Sequence, residues 1–303
     1  MKKIIPTNLD TFINDNYHWS SLEKSLTELI DNSINSRTEE WVIIDIVITD
    51  DVVRISDNWN WMDLEWLKKA LTLWHSEKQS RKIKSWLVMA CLLLWKKYEI
   101  VTKKQWDEYE YSVVFDAEEL VTKNGFDFVY NTKKVRNDEH YTYTLVHDLR
   151  TKDPLKKINK LVHNLEVKFS PYIENENDNI EISINNTKLE SVEVKIIPEL
   201  MLWIDTETSY WKINWWVSYA INWKSDYWIH CYKNKKLIRP FNKIWFKPHP
   251  SLHRLYWKIN MDFVPLNQDK TDFIIDSPEY IFVEKYMSHK LKYLIDECAI
   301  IYD

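Results

Sequence analysis

The sequence predicts an α+β fold in two domains. Three observations carry that expectation. An amphipathic helical pattern lies near the N-terminus, β-rich runs follow one another at hairpin spacing instead of alternating with helices, and 303 residues at 45% hydrophobic content suffice for two cores.

The elements follow in order. Over residues 20–35, Leu22, Leu26, Leu29, Ile30 and Ile34 recur at three- and four-residue steps, which predicts a helix. Glu28 and Asn32 are one turn apart on that helix and share a face off the leucine stripe. Residues 42–48 and 52–56 are β-rich and are joined by Thr49-Asp50-Asp51, a hairpin pattern. Short helices are expected over 62–73 and 85–94, then paired strands over 98–103 and 108–115. A polar stretch over 132–140 interrupts the pattern, and 141–149 resumes it. The run Arg150-Thr151-Lys152-Asp153-Pro154 sets the expected boundary, giving domains 1–150 and 151–303. Beyond it the sequence reads as a connecting helix over 155–169, strands over 180–184 and 192–197, two more strands within 211–232, and a helix over 280–297.

Composition narrows the class. The net charge is −5 with 29% charged residues, and no apolar run approaches the roughly 18 residues of a spanning helix, so no membrane association is expected. The N-terminus lacks the apolar core of a secretory signal, and Cys91, Cys231 and Cys298 are odd in number and far apart. A reduced, cytoplasmic setting with buried, unpaired cysteines follows as the expectation.

Glycine and tryptophan are anomalous: 1 glycine and 17 tryptophans. At average usage about 21 glycines are expected, because turns and helix ends need residues that tolerate positive φ. Trp74 and Trp95 follow helical patterns where a left-handed C′ residue belongs. Asn222-Trp223 and Gln105-Trp106-Asp107 separate strand-like runs, where Asn-Gly and Gly-Asp would turn the chain. We read most of these tryptophans as glycine positions, produced when UGA codons that specify glycine are translated as tryptophan.

Three blocks carry chemistry. The first helix reads Leu26-Thr27-Glu28-Leu29-Ile30-Asp31-Asn32-Ser33; then come Asp57-Asn58-Trp59-Asn60-Trp61-Met62 and Trp74-His75-Ser76-Glu77-Lys78. With glycine at Trp59, Trp61 and Trp74, their order and spacing resemble the nucleotide-binding motifs of the GHKL ATPases, the superfamily of gyrase, MutL, related chaperones and histidine kinases. The resemblance implies a Bergerat-type α/β sandwich that binds ATP and Mg²⁺. It gives Glu28 the role of general base toward an in-line water. It gives Asn32 a metal ligand, through its neutral amide oxygen. Asp57 would accept a hydrogen bond from the adenine amine, Trp59 and Trp61 would mark bare backbone under the ring, and Met62 would pack on its apolar face. Ser76 and Lys78 would bind phosphate oxygens. Trp86 and Leu87 fall where relatives open a helix with a phosphate-binding Gly-x-Gly loop, although Lys84 replaces the first glycine and Val88 a frequent lysine. Thr142 matches a strand-entry Gly-Thr. His75 has no histidine or cysteine partner at a recognisable spacing and reads as a surface or hydrogen-bonded residue.

The second half narrows the resemblance. Residues 228–241, containing Tyr232-Lys233-Asn234-Lys235-Lys236-Leu237-Ile238, and residues 255–273, ending Asp269-Lys270-Thr271-Asp272-Phe273, look like segments of the MORC ATPases. There they belong to an S5-like α+β transducer domain, and Lys270 matches the lysine that reaches the terminal phosphate. Lys236 departs from the usual arginine. The resemblance implies a MORC- or MutL-like switch that hydrolyses ATP slowly and forms an ATP-dependent homodimer. A non-hydrolysing ATP-sensing interaction module remains the alternative. DNA binding stays open: Lys233, Lys235, Lys236, Arg239, Lys243 and Lys247 form a basic cluster in a chain that is acidic overall.

Overall fold

The computed structural model describes residues 22–35, 41–58, 62–71, 95–116, 129–136, 138–149, 153–174, 179–192, 194–207, 212–221, 229–242, 255–267 and 272–289. Helices and strands mix without regular βαβ alternation, so the protein is α+β. The chain divides into two units, residues 1–166 with 173–190, and residues 167–172 with 191–303.

The first unit is built on an eight-stranded sheet. Its helices are α1 (Leu22–Asn35) and α2 (Leu64–Leu71), and α3 (Ile158–Ile173) follows the sixth strand. The strands are β1 (Val42–Ile48), β2 (Val52–Asp57), β3 (Trp95–Lys103), β4 (Tyr109–Asp116), β5 (Tyr130–Lys134), β6 (Tyr141–Leu149), β7 (Ile180–Ile184) and β8 (Thr187–Lys188). They lie in the order β5-β4-β3-β6-β2-β1-β7-β8, antiparallel except where β1 meets β7. Period-two alternation sends Ile44, Ile46 and Ile48 to one face, where the register sets Ile46 and Ile48 opposite Ile55 and Val53 of β2, Ile44 opposite Asp57, and Ile44 and Ile46 opposite Ile182 and Ile184 of β7. Tyr98, Ile100, Val113, Phe115 and Val146 continue this buried layer across the sheet. The α1 residues Leu22, Leu26, Leu29, Ile30 and Ile34 are buried, as their helical spacing requires.

The hairpin between β7 and β8 turns through Asn185 and Asn186 at φ 48° and 65°, the pair of left-handed residues that asparagine tolerates best after glycine. The Asn185 amide also closes the end of β1: Ile48 N–H donates to its Oδ1 (2.7 Å), and its Nδ2 donates to Ile48 O (3.0 Å).

Four sequence expectations differ from the structure. The boundary falls near residue 190 instead of 150, because β7 pairs with β1 and so belongs to the first sheet. Residues 132–134, the start of the polar stretch expected to interrupt the strands, belong to the edge strand β5; all five of its residues are exposed, so no apolar alternation marks them. Among the described residues of 192–197 there is no strand beyond an isolated bridge between Ile196 and Ala220. Val192 N–H is taken by Ser170 Oγ (2.8 Å), and Pro198, which has no N–H to donate, follows. Trp95 opens β3, paired in register with Leu149, and is not a left-handed helix end. The helix expected over 85–94, Trp74 and Trp223 lie outside the described residues.

The second unit holds a five-stranded sheet in the order β12-β11-β13-β10-β9, with β9 (Leu202–Glu207), β10 (Lys212–Tyr219), β11 (Ile229–Lys233), β12 (Lys236–Asn242) and β13 (Leu255–Asn260). Residues 278–289 are helical and set Tyr280, Val283 and Met287 into its core at three- and four-residue steps. That core includes Trp215, Trp257 and Cys231, so Cys231 is buried as the sequence led us to expect, while Cys91 and Cys298 lie outside the described residues. No helix among the described residues is long and apolar enough to cross a membrane.

One turn bears on the glycine reading. Asp107 N–H donates to Lys104 O (3.1 Å), closing the β3–β4 connection through Trp106 at φ 66°, with Trp106 74% exposed. A bulky residue in that region is strained, and an exposed indole recovers little of the cost. Trp106→Gly should therefore stabilise the protein by about 1 kcal/mol in chemical denaturation. A glycine variant less stable than its parent would reject strain at this turn.

Candidate functional site

The site begins at one end of the buried layer, where the apolar face of the first sheet turns polar. Asp57 ends β2 opposite Thr142 of β6, and Thr142 lies opposite Thr102 of β3. Residues in register on antiparallel neighbours share a face, so these three form a row across three adjacent strands. Thr142 is 9% exposed and Thr102 fully buried, while Asp57 is half-buried.

Hydrogen bonds tie this row to the elements around it. Ser33 Oγ, on the last turn of α1, donates to Asp57 Oδ2 (2.7 Å) across 24 residues of sequence. Thr102 Oγ1 donates to Met62 O (2.8 Å), holding the segment that leads into α2, and lies 3.0 Å from Thr142 Oγ1. On the strand side, Asn58 Nδ2 donates to Trp41 O (2.8 Å) and Ile43 N–H donates to Asn58 Oδ1 (2.9 Å), which pins the chain just after Asp57. Glu28 and Asn32 are half-buried on α1, the latter one residue before Ser33.

The structure thus sets Asp57 and Thr142 in register on neighbouring strands, links Met62 to Thr142 through Thr102, and brings the turn of Asn32 to Asp57 through Ser33. Trp59, Trp61, Ser76, Lys78, Trp86, Leu87, Lys270 and His75 lie outside the described residues. Two members of the network carried no sequence signal of their own. Ser33 closes the first motif block, but serine on a helix is unremarkable. Thr102 sits in a strand, where threonine is common, and only the register sets it against Thr142.

Chemically, the row offers a carboxylate and hydroxyl oxygens at the mouth of an apolar layer. Such a donor set fits an exocyclic amine on a flat heterocycle: the amine meets acceptors, and buried Met62 supplies apolar surface beside it. Among the described residues, no cluster of three or more His, Cys, Asp or Glu is placed to hold a metal ion. A cation here would therefore need oxygens from its ligand as well as the Asn32 amide.

The opposite face of the same strands carries a separate network. Tyr141 donates to Glu110, Arg54 stands over the Tyr143 ring at 5.1 Å, and buried Lys103 donates from Nζ to the carbonyls of Lys104 and Asp107. Burial and the bond to Glu110 push the Tyr141 phenol well above the usual tyrosine value.

In the second unit, the stretch containing Lys270 has fixed ends. Leu266 and Phe273 bridge, Asn267 N–H donates to Asp272 O (2.9 Å), and Asp272 N–H donates to Asn267 Oδ1 (3.1 Å). Arg239 clamps Asp272 from both nitrogens, Nη2 to Oδ2 at 2.6 Å, and donates from Nη1 to Tyr280 Oη (3.0 Å). The Asp272 bond raises the Arg239 pKa further. The expected basic cluster is accordingly reduced. Arg239 is committed to Asp272, and Lys233 donates to Val264 O (2.8 Å) and Asp262 O, while Lys243 and Lys247 lie outside the described residues.

No protein-family model matches the chain, and no curated protein matches it either.

The Tyr141 shift predicts a pH dependence. Its native pKa is raised, so the native state holds the phenolic proton more tightly than the unfolded chain. The associated stability is fully present below the unfolded value of about 10 and is lost as pH rises beyond it. Denaturation between pH 9 and 11.5 should show a decline that Tyr141→Phe makes shallower. Parallel profiles for parent and variant would remove Tyr141 as a source of it.

Proposed function

We propose that the chain binds ATP with Mg²⁺ in its first unit and acts as a slow, GHKL-like ATPase switch of the MORC or MutL kind. The observation that carries this reading is the Ser33–Asp57–Thr142 arrangement: residues of the first and second motif blocks and of the Thr142 strand converge at one sheet end. ATP supplies the adenine amine, the phosphates that complete a Mg²⁺ shell, and the bond to be broken.

The chain's own residues divide the work. Asp57 accepts from the adenine amine and Met62 packs on the ring. Asn32 offers its amide oxygen to the metal. Glu28, one turn earlier, takes the proton of the attacking water. Ser76, Lys78 and the backbone at Trp86 and Leu87 hold phosphate oxygens, with Trp59, Trp61 and Trp86 read as glycine so that backbone approaches base and phosphate. Lys270 is assigned the terminal phosphate on resemblance alone. Nucleotide-dependent homodimerisation belongs to the same reading, as does a cytoplasmic setting. The replaced residues of the phosphate loop, Lys84 and Val88, favour a second reading, an ATP-sensing interaction module without turnover. Multiple-turnover phosphate release separates the two.

Glu28→Ala should retain ATP affinity in calorimetry while hydrolysis drops by about 100-fold or more, the size of a general-base contribution. Asn32→Ala should instead lose the Mg²⁺-dependent part of binding. Unchanged phosphate release in Glu28→Ala would remove Glu28 as the base.

The glycine reading is tested at the site itself. Indoles at Trp59, Trp61 and Trp86 would fill space that the nucleotide needs, and overpacking by far smaller groups costs about 1–3 kcal/mol each. A micromolar nucleotide site has only about 8 kcal/mol of binding free energy. The chain with glycine at Trp59, Trp61, Trp74 and Trp86 should bind ATP, and the tryptophan-containing chain should not. Tight ATP binding by the latter, or UGG codons at these positions in the gene, would overturn the reading.

A further inference from the structure

The hydroxyls of the polar row have a direction that their geometry fixes. A hydroxyl has one hydrogen and two lone pairs. A carbonyl oxygen only accepts, so at 2.8 Å from Met62 O the Thr102 hydrogen is committed to that carbonyl. The 3.0 Å contact between Thr102 and Thr142 must then take its hydrogen from Thr142. Thr142 Oγ1 is left with lone pairs alone toward the rest of the site. Its register neighbour Asp57 is a carboxylate, acceptor-only when ionised, and Ser33 directs its hydrogen into that carboxylate. Neither oxygen group of the row presents a hydrogen to a ligand.

We infer that Thr102 is a specificity-determining residue that never touches the ligand: by consuming the Thr142 hydrogen, it makes the row a one-sign reader that accepts an amino group at the purine 6-position and rejects an oxo group. The inference rests on the ATP-binding reading above and deepens it. A 6-amino group donates into the row. A 6-oxo group sets lone pairs against lone pairs, and a buried site cannot relieve that by rehydration. Thr102 is itself fully buried and Met62 nearly so, so no solvent competes for the hydrogen that fixes the direction. Without the Thr102 oxygen, the Thr142 hydroxyl loses its only described acceptor and is free to rotate and donate outward. The row would then tolerate a carbonyl.

The test compares ATP with ITP, which carry an amino or an oxo group at that position and a lone pair or a hydrogen on the adjacent ring nitrogen, by calorimetry on the full chain with glycine at Trp59, Trp61, Trp74 and Trp86. The readout is the affinity ratio, not turnover. The parent should prefer ATP by about 100-fold or more, the scale at which a site rejects a group it cannot hydrogen-bond. Thr102→Val, of nearly the same shape, should bring the ratio below about 10-fold, chiefly by strengthening ITP. Thr102→Ser, which keeps both hydrogen bonds, should restore the parent ratio, whereas a merely structural role would weaken both nucleotides alike. A Thr102→Val ratio equal to the parent's, with ATP still bound, overturns the inference and leaves the ATP reading standing. So does a parent ratio below about 10-fold, which needs no variant to fold. Binding of neither nucleotide by the parent overturns both.

Discussion

A buried hydroxyl must place its single hydrogen, and at one end of the eight-stranded sheet that requirement organises the neighbourhood. The sheet face behind the row is apolar apart from Thr144 over the next two levels, Ile55 and Ile100 and then Val53, Val146 and Tyr98. Such a layer gains free energy from burial alone and distinguishes nothing. Polarity at its end is costly unless each group finds a partner, so the partners dictate where the adjoining segments lie. Thr102 holds the Met62 carbonyl and thereby the entry to α2. Ser33 reaches Asp57 and thereby fixes the last turn of α1. The segments that flank the row are anchored by the same bonds that make its polar end tolerable.

This dependence explains what was legible in the sequence and what was not. α1 and the β1–β2 hairpin could be read because each buries one face, so their apolar residues repeat at 3.6 or 2. β5 is exposed on both faces, and an edge strand held by backbone bonds leaves no pattern in its side chains. The limit of the first unit was misplaced for a related reason. A parallel pairing such as β1 with β7 joins residues far apart in sequence, and the local signals of residues 150–154 know nothing of it. At the site, Asp57 and Thr142 were readable from motif blocks, yet the hydroxyl that orients Thr142 was not. Thr102 acquires its role from register alone.

The second unit shows the same economy with ions in place of hydroxyls. In sequence, Arg239 belongs with a run of lysines and suggests a surface for anions. In the fold it faces Asp272 with two parallel bonds, and Asp272 in turn closes the loop from Asn267. Paired guanidinium and carboxylate of this geometry hold the two ends of the loop at fixed separation. Of the six residues read as a patch, Arg239 and Lys233 are engaged within the fold, and the Arg239 charge is met by Asp272.

Tryptophan and glycine make the sharpest test of consistency between levels. Among the described residues, three connections between adjacent antiparallel strands turn through positive φ. Two are filled by asparagine, as Asn185-Asn186 and as Asn234 followed by Lys235, and asparagine is the side chain that enters that region most readily. The third is filled by Trp106, whose ring is mostly in water and whose backbone position suits glycine. Trp215 and Trp257 behave quite differently. Both are buried in the core of the five-stranded sheet, and the Trp215 indole donates to Asn260 O (2.9 Å). Their volume fills that core, and the Trp215 N–H has the partner that a buried indole requires. A chain that chooses asparagine for two turns, and sets its indoles deep where packing rewards them, has no physical reason to place one on an exposed left-handed turn. The residue that fits there is the one the composition lacks, so a glycine codon read as tryptophan accounts for Trp106 by the same logic that leaves Trp215 and Trp257 as they stand.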